Sequence, residues 1–191
     1  AGEAGSGKTR LLAELAAEVR DSGATVLAGR CTDDGVVPFA PFTEALRPYV
    51  AANSGALPEW VTAELARLLP ELGPGPGPPG GDAMAARHRL FEAVAAAVGH
   101  AARSRPVLLV VEDLHWADEP TLQLLGHVVR SAGWAPLLVV ASLRDEGGGL
   151  RAWTQEIGVM IKRDVDRSTA YDAGGFGIAA GIEAPDTALG A

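Results

Sequence analysis

Near the amino terminus, Gly2-Glu3-Ala4-Gly5-Ser6-Gly7-Lys8-Thr9 has the types and spacing of a phosphate cradle, G-x-x-x-x-G-K-[ST]. Without a Cβ, Gly2, Gly5 and Gly7 let the backbone curl so that successive N–H groups face inward onto phosphate oxygens. The helix that follows points the positive end of its dipole at the same anion. Lys8 would reach β- and γ-phosphates as a point charge, and the Thr9 hydroxyl would ligate Mg²⁺. The candidate nucleotide-binding stretch therefore runs from Gly2 through Arg10. A second constellation is the apolar run Val107–Val111 ending in Glu112-Asp113. A buried parallel strand delivers its last residues to the crevice where such sheets bind ligands. Carboxylates there can hold Mg²⁺ and orient an attacking water. Side chains alternate along a strand, so the two acids act together only if the strand ends at Glu112. A third candidate is Arg144, which closes the apolar run 137–143 and could stabilise charge on a departing γ-phosphate.

The elements that must position these groups are legible in part. Leu11, Leu12, Leu15, Ala16 and Val19 fall on one face of a helix from Gly7 to Asp21, with Gly23 as its stop. Thr25–Cys31 reads as a short strand. Residues 33–41 carry breakers and read as loop. Phe42–Ala52 reads as a helix that Pro48 weakens or kinks. Pro58–Leu69 reads as another helix, with Val61, Leu65, Leu68 and Leu69 on one side. The Gly-Pro run 73–81 can be neither helix nor strand and reads as a mobile surface loop. Asp82–Arg103 is a long Ala-rich helix whose core face is Leu90, Phe91, Val94, Ala97 and Val98; His88 and His100 ride on it as solvated or satisfied residues. After the acids, Asp118 suits the N-cap of a helix over Glu119–Ser131, with Pro120 in its first turn. Leu122, Leu125, Val128 and Val129 would face the sheet. Leu137–Leu143 is the third strand. Helices alternating with apolar strands give an α/β class with a parallel sheet.

Composition bounds the partners. The chain has 191 residues, 48% of them hydrophobic, and a net charge of −8. That acidity argues against a nucleic-acid surface spread over it. The single cysteine, Cys31, excludes an internal disulfide framework and suits a reducing cytoplasm. No apolar run reaches membrane-spanning length, and no signal peptide is evident. The chain opens on Ala1, without a Met, and reads as a fragment of a longer protein. From Gly147 onward glycine recurs without a sustained period. We expect a partial domain over 1–146 and a Gly-rich, weakly ordered tail over 147–191.

Residues 2–145 resemble the ATPase module of the STAND class of AAA+-related P-loop NTPases, as found in large ATP-binding regulators of the LuxR type. GEAGSGKTRLL at 2–12 (Walker A), GRC at 29–31, PFAPFTEALRPY at 38–49, VLLVVEDLHWADEPTLQLL at 107–125 (Walker B) and VVASLRDE at 139–146 carry the resemblance. The LHWAD segment is the most specific. The resemblance implies a three-layer P-loop NTPase fold, with the P-loop strand between the fifth and fourth strands. Here that fold reads as incomplete: the first strand is missing and the fifth is not evident. It also implies ATP and Mg²⁺ as cofactors, with Lys8 on phosphate and Thr9 on the metal. Glu112 falls where the family often has a metal-associated Asp, Asp113 matches the acid of the hydrolytic water, and Arg144 matches the sensor position. The tail beyond Ile157 does not match.

The expected activity is an ATP-binding, slowly hydrolysing regulatory switch acting on neighbouring domains of a cytoplasmic parent, with DNA reached only through a domain outside this chain and oligomerisation on ATP binding. The alternative is a nucleotide-binding scaffold without turnover. A small-molecule kinase would need an Arg-rich acceptor lid, and a transporter ATPase an LSGGQ-like signature; neither is found. As an isolated piece lacking the first strand, the chain is expected to bind nucleotide weakly and to aggregate.

Overall fold

The computed structural model describes residues 7–33, 37–77, 82–131 and 135–143. Three parallel strands, β1 (Thr25–Arg30), β2 (Val107–Glu112) and β3 (Leu137–Ala141), lie in the order β1-β2-β3. Their register pairs Thr25 with Val107 and Arg30 with Glu112, then Val107 with Leu137 and Val111 with Ala141. Helix α1 (Lys8–Asp21) precedes β1. Between β1 and β2 come α2 (Ala40–Asn53), α3 (Glu59–Leu65), a 3-10 turn (Pro70–Leu72) and α4 (Ala83–Ser104). Helix α5 (Glu119–Ser131) connects β2 to β3.

Alternation along the strands sorts the core into two faces. Leu27, Val107, Leu109, Val111 and Leu137 pack against α2, α4 and α5, where Phe42, Leu46, Val94, Val98, Leu124 and Val128 are buried. Leu108 and Val110 face the other way, onto Leu12 and Ala16 of α1, with Val26 and Val140 beside them. The result is helix, sheet, helix: three layers of the P-loop NTPase kind. Central β2 is apolar on both faces, as a parallel strand covered twice must be. Gly29 permits the closest approach in this packing, because a Cβ there would lie 1.9 Å from the Pro41 carbonyl oxygen of α2.

Several boundaries differ from the sequence reading. Helix α3 stops at Leu65, where its last turn tightens to i−3 bonds (Arg67 N to Glu64 O, Leu68 N to Leu65 O); helical turns reach Leu69, which Pro70 holds outside the helical region (φ −125°, ψ 78°). Helix α2 starts two residues early and runs through Pro48, whose exposed ring takes the solvent side while Ala45, Leu46 and Val50 hold the inner face. In α5 the expected Leu125 and Val128 are buried, Leu124 and Thr121 are buried with them, and Leu122 and Val129 are only partly covered. Strand β3 ends at Ala141 because the Ser142 backbone turns to serve the loop after β2. The expected core face of α4 is buried throughout, and Asp82 caps that helix by accepting from the Ala85 N–H at 2.9 Å. Residues 1–6, Arg144 and the segment 147–191 lie outside the described residues, and with them the expectations for the first part of the glycine loop, the sensor arginine, the fifth strand and the tail.

Candidate functional site

Gly7 opens the site. It sits in the left-handed region (φ 79°, ψ 12°) at the N-cap of α1, a conformation glycine adopts without a Cβ penalty. Gly7 itself offers no side-chain cap, and no acid stands in the first turn of α1. The N–H groups at the start of a helix, with the positive end of its dipole, favour an anion. Lys8 is half-buried; Thr9 and Arg10 are exposed, and Arg10 pairs with Glu14 at 2.9 Å. Residues 22–24 turn α1 directly into β1, so the two run antiparallel. Fourteen helical residues span about 21 Å, and a six-residue strand about 20 Å. The start of α1 therefore falls at the carboxyl edge of the sheet, where β1 and β2 end.

At that edge stand the two acids. Glu112 is the last residue of β2, and Asp113 turns into the left-handed region (φ 53°, ψ 42°). That turn cancels the alternation that would have sent the two carboxylates apart. Both face one guanidinium: Arg30 Nη2 lies 2.8 Å from Glu112 Oε2, and Arg30 Nε lies 3.8 Å from Asp113 Oδ2. The Arg30 backbone N–H donates to Glu44 Oε2 at 2.9 Å. The hydrogen bond it donates to Glu112 and the charges of Glu112, Asp113 and Glu44 push the Arg30 guanidinium above its ordinary pKa. Ser142, 5% exposed, fixes the turn from β3. Its Oγ accepts from the Asp113 N–H at 2.9 Å, its carbonyl accepts from Leu114 N at 2.8 Å, and its own N–H donates to Val111 O at 3.0 Å.

The LHWAD segment supports this turn from below. Leu114–Trp116 forms a 3-10 turn, with the His115 and Trp116 rings 4.9 Å apart. Both His115 ring nitrogens are buried without a hydrogen-bond partner. Asp118 Oδ1 accepts from Thr121 N at 2.9 Å, the expected cap, and Thr121 Oγ1 accepts from Phe39 N at 3.0 Å, tying the approach to α2 onto α5. A half-open pocket of about 20 Å³ is lined by Cys31, Thr32, Pro41, Trp116, Asp118 and Thr121, among others. It is water-sized, far too small for a nucleotide. Burial, then the charges of Asp118 and Asp113, push the Cys31 thiol up to about 11, which keeps it un-ionised and inert at neutral pH.

Among the described residues no group of three or more His, Cys, Asp or Glu could hold a metal ion by itself. Mg²⁺ needs no such cage: it takes one or two carboxylates, keeps waters and draws its other ligands from phosphates. The hard oxygens of Glu112, Asp113 and Thr9 fit that requirement. Sequence reasoning missed Arg30 and Ser142. Arg30 lies inside the GRC segment, and only the β1–β2 register sets it beside Glu112.

A family model for the AAA ATPase domain matches residues 1–140. The chain belongs to this family. The match spans the glycine loop, the acidic end of β2 and most of β3, and the α/β architecture agrees with it. An AAA ATPase domain is a nucleotide-binding P-loop module. A similar curated protein is an uncharacterized protein of Rhizobium meliloti (strain 1021), 28% identical over 161 residues that cover 75% of this chain and 16% of that protein. This AAA domain thus spans about one-sixth of the length of the curated relative it matches. No solved structure matches it. No helix among the described residues is long and apolar enough to cross a membrane.

Proposed function

We propose that this AAA domain is the ATP-binding, slowly hydrolysing switch of a larger bacterial signalling or transcription regulator of the STAND type, as in LuxR-type ATP-binding regulators. The observation that carries the reading is the acidic pair at the end of a central parallel strand, on the sheet edge where α1 begins with Gly7-Lys8-Thr9. Gly2 through Arg10 bind the triphosphate, Lys8 on its β- and γ-oxygens. Thr9 and Glu112 hold Mg²⁺, which when bound neutralises charge on the β- and γ-phosphates. Asp113, its backbone fixed by Ser142, orients the attacking water and accepts its proton. Arg144 steadies the leaving charge. Residues 1–146 form the working module, partial with respect to its first and fifth strands. Residues 147–191 lie outside it. Its partners are ATP and ADP, neighbouring domains of a cytoplasmic parent, and other copies on ATP binding. DNA is reached only through a separate domain.

Phosphate release from the longest polypeptide carrying these residues tests the reading. Lys8→Ala should abolish nucleotide binding. Asp113→Asn should retain binding and lose turnover by about 10²-fold or more. Asn tolerates the left-handed backbone at this position, so the substitution leaves the turn intact. A second reading, a scaffold that binds nucleotide without turnover, draws support from the ion pair in which Arg30 already engages Glu112. It requires that Asp113→Asn change nothing.

A further inference from the structure

We propose that Arg30 competes with Mg²⁺ for Glu112: its guanidinium holds the carboxylate oxygen the metal would use, so metal-assisted nucleotide binding must displace it. This rests on the ATP reading above. Two carboxylates, Glu112 and Asp113, contact the Arg30 guanidinium at the carboxyl edge of β1 and β2, while Glu44 accepts from the Arg30 backbone N–H. Among the described residues the guanidinium is anchored through its contacts to Glu112 and Asp113, and its side chain is 47% exposed, so it can swing into solvent. Its backbone is fixed independently, by the strand register and by Glu44 of α2. Mg²⁺ needs the same oxygen lone pairs at close range and repels a neighbouring guanidinium. Guanidinium and metal therefore exchange at Glu112.

The test is a titration of a fluorescent ATP analogue against the longest polypeptide carrying these residues, in EDTA and then over a MgCl₂ series. In Arg30→Gln the affinity in EDTA should stay near that of the unmodified protein, while the MgCl₂ concentration giving half the metal-dependent gain falls about three- to fivefold, the range of an ion pair this exposed. Arg30→Lys, which keeps the charge, should remain with the unmodified protein. A midpoint in Arg30→Gln that is unchanged or higher would overturn the inference while leaving the ATP reading standing. Failure of every protein to bind the analogue, with or without MgCl₂, would overturn both.

Discussion

The imidazole of His127 lies at the seam of α4 and α5, and its environment fixes how it responds to acid. Its Nε2 is 3.1 Å from Glu92 Oε1 without hydrogen-bond geometry, and His88 Nε2 approaches the same oxygen at 3.8 Å. The Phe91 ring packs at 5.7 Å. Burial, foremost, holds His127 below its ordinary pKa; Arg130 and His88 push the same way, and Glu92 opposes them. As pH falls through about 6.5 the unfolded chain takes up a proton that the folded chain refuses, so stability falls with acidification. We expect the unfolding midpoint in denaturant to drop between pH 7 and 5.5, and His127→Gln to flatten that slope. A slope unchanged by the substitution would show that His127 is not its source.

At the scale of elements, the approach of α2 to β1 depends on a missing side chain. Gly29→Ala would drive a methyl group into the Pro41 backbone, which cannot rotate away as a side chain could. The expected cost is about 1–3 kcal/mol, as for other overpacked cores, measurable by urea unfolding. A neutral result would mean that α2 can slide along the sheet. Which elements exist was largely written in the chain, because the apolar periods of α1, α4 and α5 and the apolar runs of the strands are local signals. What escaped was set by neighbours. The end of α3 lies where its last turn tightens, the inward turn of Leu124 is set by its packing, and the guanidinium beside Glu112 by pairing residues far apart in the chain. Periodicity cannot announce a cross-strand partner, so Glu112 and Asp113 were legible from their place after an apolar strand, and Arg30 was not.

For the whole molecule, the order of elements matters more than any single contact. Strands β1 and β2 are adjacent in the sheet but separated by residues 31–106, and the Gly-Pro stretch Gly73–Gly77 interrupts that crossover on the surface between the 3-10 turn and α4. The halves on either side meet along the full β1–β2 ladder, through α3 against α4, and through Arg89–Glu64 at 3.1 Å and Tyr49–His100 at 2.7 Å. Covalent continuity at Gly75 is thus dispensable once folding is complete. A protease site engineered there should be cut without release of either piece, the two co-eluting on size exclusion until denaturant is added; separation on cleavage would contradict this. The same position offers a place to divide the gene, so that two separately made peptides rebuild one sheet.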